Sequence, residues 1–198
     1  MVVSLIFDTE TTGLPLCPRY GVFPEYWVTS SYNTSRIVQV SYILVDDNYE
    51  ILEESDTIIK RDNFKINNHS FHGITEEISD SSGIIFVNWA KNFYKSLACC
   101  NRLMAHNIDF DINVLRSELY RYNLDYILEM LDTKMFFCTM KNTKLLVKAK
   151  FKSGNQNDIK DPNLKELYFF ATGEQMENHH NSFYDTKNLY NIIKILKL

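Results

Sequence analysis

Residues 2–7 form an apolar run, broken only by Ser4, that meets Asp8 at once. A run of strand length, rich in β-branched residues, reads as a buried β-strand. It is too short for a membrane span or a signal h-region, and no basic n-region precedes it. Side chains at i and i+2 of a strand share a face, so Asp8 and Glu10 stand together at the end of this one. Two carboxylates there repel, and the low dielectric of a buried strand end sharpens the repulsion. A divalent cation resolves it, and carboxylates with phosphate oxygens suit Mg²⁺ or Mn²⁺. An Asp-x-Glu pair alone is commonplace; the Thr11-Thr12-Gly13-Leu14 that follows gives it weight.

Three further segments belong with the first. His106-Asn107-Ile108-Asp109-Phe110-Asp111 sits where a short strand at 102–105 gives way to a helix at 108–122. Helical spacing turns Asp109 and Asp111 about 200° apart, so only one of them faces a common site. Asn107 is placed to cap that helix through its side chain. His180-Asn181-Ser182-Phe183-Tyr184-Asp185 puts a histidine just ahead of a last helix at 182–196 and a carboxylate in its first turns. An imidazole titrating near neutrality can accept a proton from an attacking water. The neighbouring His179 has no aspartate at that spacing and reads as a surface residue. The softest segment is His72-Gly73-Ile74-Thr75. Together these segments offer four carboxylates and a histidine, the set that a two-metal phosphodiester hydrolase needs.

Around the motifs, strands are expected at 36–46 and 50–60, joined by a hairpin at Asp47-Asn48. Helices are expected from Thr75 as N-cap, over 84–99, and at 123–134 with its turn; another strand is expected at 134–139. Asp161 is expected to cap a helix that opens with Pro162 and ends at Thr172-Gly173. The order of elements implies an α/β fold with a mixed β-sheet flanked by helices, one domain over 1–198. Two long loops interrupt it, at 15–35 and at 147–162, with 153–157 the most mobile-looking part of the second.

The motifs resemble those of the DEDDh (DnaQ-like) 3′→5′ exonucleases, the group that includes polymerase proofreading subunits. Asp8 to Leu14 match Asp-x-Glu-Thr-Thr-Gly-Leu, His106 to Asp111 match His-Asn-x-x-Phe-Asp, and His180 to Asp185 match His-x-x-x-x-Asp. The resemblance runs from Leu5 to about Ile193 and implies a ribonuclease H-like fold. It assigns Asp8, Glu10, Asp111 and Asp185 to two Mg²⁺ or Mn²⁺ ions and His180 to the general base. It also implies that Thr11, Gly13, Leu14, Phe71, His72, Asn107 and Phe110 meet the 3′-terminal nucleotide. The loops at 18–35 and 147–162 depart from compact members of the family, so substrate preference does not carry over.

The function that follows is release of nucleoside 5′-monophosphates from the 3′ end of DNA, with RNA trimming or a silent binding module as alternatives. A formal charge of −4 and a pI near 5.7 disfavour a long grip on duplex DNA and favour a small footprint on a single-stranded or frayed 3′ end. Cys17, Cys99, Cys100 and Cys138 form no Cys-x-x-Cys pair, which argues against zinc and for a reducing intracellular compartment. No membrane partner is expected. An apolar patch at Phe23, Tyr26 and Trp27 offers a place for a polymerase or other protein; oligomeric state is open.

Overall fold

The structure is a computed structural model that describes residues 2–19, 21–151, 158–177 and 180–198. His179 and the middle of the 147–162 loop lie outside the described residues.

The first strand explains the layout. In β1 (Ser4–Thr11), Leu5 and Phe7 enter one apolar cluster and Ile6 enters another. A strand buried on both faces has to lie inside its sheet, with helices over each face. The other strands are β2 (Ile37–Val45), β3 (Ile51–Lys60), β4 (Ile84–Ile85), β5 (Arg102–Ala105) and β6 (Met135–Cys138), in the order β4-β3-β2-β1-β5-β6. β1 pairs antiparallel with β2 and parallel with β5; β6 runs parallel to β5. This is the mixed α/β sheet that the element order implies.

The helices are α1 (His69–His72), α2 (Glu76–Ser82), α3 (Phe86–Cys99), α4 (Ile108–Arg121), α5 (Asp125–Asp132), α6 (Thr139–Val147), α7 (Leu164–Thr172) and α8 (Ser182–Leu196). α3, α4 and α5 bury Trp89, Phe93, Leu97, Leu115, Leu119 and Ile127 against the Leu5 and Phe7 side. α8 lays Leu189 and Ile193 over Ile6, Ile43 and Met104 on the other. No helix among the described residues is long and apolar enough to cross a membrane.

Two local expectations are corrected. The helix expected over 84–99 begins only at Phe86, because Ile84 and Ile85 pair in parallel with Ile59 and Lys60 as β4. β-branched residues favour that extended pairing. The cap of α7 is Asn163, not Asp161. Asn163 Oδ1 accepts from Glu166 N at 2.9 Å and Glu166 Oε2 accepts from Asn163 N at 2.9 Å. This reciprocal box satisfies two amides. Asp161 is instead drawn to Lys144, at 3.1 Å. Thr75 does cap α2, accepting from Ile78 N at 3.2 Å.

Gly83 makes the α2-to-β4 crossing possible. A Cβ there would stand 2.3 Å from Ser79 O and 2.6 Å from Lys60 N. Backbone atoms on both sides have little room to yield, so Gly83→Ala is expected to cost about 1–3 kcal/mol, the usual range for overpacking. A denaturant midpoint equal to that of the wild type would refute this.

Candidate active site

The period of β1 continues past its apolar half. Ile6, Asp8 and Glu10 share the face covered by α8, and Asp185 lies in the first turn of α8. One carboxylate oxygen from each of Asp8, Glu10 and Asp185 lies within 4.8 Å of the others. The His180 backbone N–H donates to Asp185 Oδ2 at 3.1 Å, and its ring stands edge-on to Phe71 with centroids 6.2 Å apart. Asp185 Oδ1 is buried and accepts no hydrogen bond from any described residue. A buried carboxylate oxygen without a donor is costly, and a cation beside it would remove the cost.

A polar seam under α8 fixes this geometry. Ser182 Oγ meets Ser41 Oγ at 2.6 Å, and Thr186 Oγ1 donates to Ser41 O at 3.4 Å. Gln39 and Ser41 in turn donate to Asp56 Oδ1 at 2.7 and 2.9 Å. Asn181 caps the helix by accepting from Phe183 N at 3.1 Å. Sequence reasoning passed over these residues. The available signal was two polar residues two apart, 39 and 41, inside an otherwise apolar strand.

Asp111 is near Asp8 but is not one of the three residues whose oxygens converge. It is 3% exposed, and its Oδ1 accepts from Thr9 N at 3.1 Å and Thr9 Oγ1 at 2.7 Å. Asp109 turns away, half exposed and ion-paired with Lys141. Asn107 does not cap α4 with its side chain. Its φ of 67° places it in the left-handed region, whereas a side-chain cap requires extended backbone. It turns the chain through its carbonyl, which accepts from Phe110 N at 2.9 Å.

The four carboxyls crowd one another. Burial, then the charges of Asp111, Asp185 and Glu10, hold the Asp8 carboxyl well above the usual carboxylate range. Burial followed by Asp185 and Asp111 pushes Glu10 up to about 8. Burial lifts Asp111 to about 7 despite its Thr9 hydrogen bonds, and lifts Asp185 to about 6 despite the His180 amide. All-oxygen donors held buried together in this way suit a hard divalent cation.

The remaining expected residues fall in two places. Leu14, Asn107 and Phe110 line a cavity of about 270 Å³, to which Phe23 and Met140 also contribute. Phe23 and Phe110 lie 6.4 Å apart, so the long 15–35 connection supplies one wall. Phe71 is 66% exposed beside His180. His72, expected in the nucleotide pocket, is held by its neighbours. It is buried; its Nδ1 accepts from Ile74 N at 3.1 Å, which leaves Nε2–H for Asn68 Oδ1 at 3.2 Å. Asn68 Nδ2 then donates to Thr11 O at 2.9 Å. Thr11 Oγ1 is turned inward to Gly13 O at 2.7 Å. Gly13 has φ +151°, and a Cβ on it would lie 2.9 Å from Thr34 O.

The model of the exonuclease family RNase_T matches residues 5–193. No curated protein matches the chain. Among solved structures, E. coli exonuclease I in complex with a dA16 oligonucleotide superposes with a TM-score of 0.73 at 15% identity. Its zinc-bound complex with single-stranded DNA gives 0.73 at 16%. A moderately thermophilic exonuclease I from Methylocaldum szegediense gives 0.72 at 16%. Each match covers 100% of this chain but only 40–41% of the other, so the chain spans about two fifths of those proteins. The likeness identifies the fold as ribonuclease H-like.

A pH dependence follows from the raised carboxyls. Carboxyls in an unfolded chain titrate near 4. Across roughly pH 4 to 8 the folded, metal-free protein therefore holds more protons than the unfolded chain, and its stability falls as pH rises. Melting temperature in a chelator is expected to drop through that window and to recover on adding Mg²⁺ or Mn²⁺. Asp8→Asn should flatten the slope; an unchanged slope in that variant would contradict the electrostatic account.

Proposed function

The chain belongs to the RNase_T exonuclease family, and from that premise we propose that it removes nucleoside 5′-monophosphates stepwise from the 3′ end of DNA. One observation carries the reading: Asp8, Glu10 and Asp185 converge while His180 is bonded through its backbone to the last of them. A carboxylate cluster with an adjacent base is what hydrolysis of a phosphodiester requires.

Asp8, Glu10 and Asp185 would hold the divalent ions, with Asp111 supporting the site directly or through a water. Bound Mg²⁺ or Mn²⁺ supplies Lewis acidity, lowering the pKa of a water and offsetting charge on the leaving oxygen. His180 takes a proton from the attacking water as the new O–P bond forms in line with the breaking P–O3′ bond. The departing oxygen becomes the 3′-hydroxyl of the shortened strand, and the phosphate leaves on the released nucleotide. Leu14, Phe110 and Phe71 offer apolar surfaces on which a terminal base stacks whatever its identity.

The substrate reading draws support from the single-stranded DNA bound by exonuclease I, whose fold the chain shares. The net charge of −4 also favours a short grip on a strand end over a long duplex track.

Digestion of 5′-labelled single-stranded DNA, recessed and blunt duplexes and RNA, with Mg²⁺ or Mn²⁺, tests the proposal. A stepwise ladder on DNA is expected. Asp8→Ala should abolish it without lowering the melting temperature, and His180→Ala should slow it by about 10²–10⁴-fold, the usual contribution of a general base. A ladder confined to RNA would move the substrate while keeping the site. An active Asp8→Ala enzyme would overturn the assignment.

A further inference from the structure

His180 and Asp185 open onto a cavity of about 260 Å³ whose far wall is made by Asn163, Leu164, Lys165 and Met176. The motifs give none of these four residues a role. The lysines nearby in the chain are engaged: Lys141 with Asp109, Lys144 with Asp161 at 3.1 Å, and Lys160 with Glu166 at 2.5 Å. Lys165 is exposed and, among the described residues, forms no ion pair. Its backbone is nevertheless fixed. The Asn163–Glu166 box closes the first turn of α7, and His106 Nε2 lies 3.0 Å from Pro162 O just ahead of it. An ammonium whose charge reaches Asp185 is thus mounted on a rigid turn, across a small cavity from the candidate base.

The sign of the charge selects the ligand. An anion entering the cavity gains a charge-assisted contact with this ammonium. Resting on the exonuclease reading above, we infer that Lys165 binds the phosphoryl oxygens of the nucleotide being released. Those oxygens carry one negative charge in the diester and close to two in the free monophosphate. Lys165 therefore acts increasingly as the bond breaks, which favours the transition state, and it also holds the product.

The test compares wild type, Lys165→Ala, Lys165→Arg and, as a remote lysine, Lys95→Ala on single-stranded DNA with Mg²⁺ or Mn²⁺. The readouts are kcat, KM and competitive inhibition by deoxyadenosine 5′-monophosphate. Lys165→Ala should lower kcat/KM by about ten- to a hundredfold and weaken the monophosphate by about tenfold, less than the roughly 10²–10³-fold of a lost oxyanion-hole donor because the side chain is exposed. Lys165→Arg should recover most of both, and Lys95→Ala should resemble wild type. Lys165 is exposed and forms no ion pair among the described residues, so with Mg²⁺ or Mn²⁺ present the melting temperature should change little. If Lys165→Ala matches wild type in rate and inhibition, or behaves no differently from Lys95→Ala, the inference is wrong while the exonuclease reading stands. If wild type itself releases no mononucleotide from any nucleic acid, both fall.

Discussion

Mutual repulsion among Asp8, Glu10, Asp111 and Asp185 is the force that the surrounding structure has to withstand. Left to themselves, carboxylates would separate into water. They are held because each rides on an element with a large apolar commitment elsewhere. β1 is buried on both faces, α8 is clamped over Ile6 and Met104, and α4 packs Leu115 and Leu119 beneath the sheet. Moving any carboxylate away means exposing part of that core, at about 25 cal/mol per Å² of apolar surface. The position of each carboxylate is therefore set by the core beneath it.

Much of this was readable in the chain because it rests on short periods. Strand alternation put Asp8 and Glu10 on one face, and helical spacing meant that Asp109 and Asp111 could not both turn inward. The edges of β5 and α8 coincide with the stretches expected at 102–105 and 182–196. What escaped notice depends on register between distant segments. The Ser41–Ser182 contact spans 141 positions, and nothing near either serine announces the other. The bonding of His72 was equally hidden: a backbone amide two residues on occupies one ring nitrogen and Asn68 the other. The α7 cap was a local miss: Asn163 followed three residues later by Glu166 is a capping-box signature that Pro162 obscured.

The long connection at 15–35 has a definite place in the structure. Pro15, Cys17, Gly21 and Phe23 stand against Phe110 and Met140, so the cavity beside the first motif is walled by residues outside the family pattern. Arg36 ties the connection down. Its N–H donates to Thr12 Oγ1 at 2.9 Å, and its guanidinium is buried against Glu118 at 2.5 Å and Tyr122 Oη at 3.1 Å. The wall is thus anchored at its end by a buried ion pair.

β4 covers only Ile59 and Lys60 at the end of β3. The stretch from Ile51 to Ile58 thus forms the outer margin of the sheet over most of its length, and it contains Glu53, Glu54 and Asp56. An open margin of unpaired backbone invites a second copy to add its own strand. Two such margins approaching each other here would bring like charges together in a row. Acidic side chains on an exposed margin thus disfavour edge-to-edge pairing between copies.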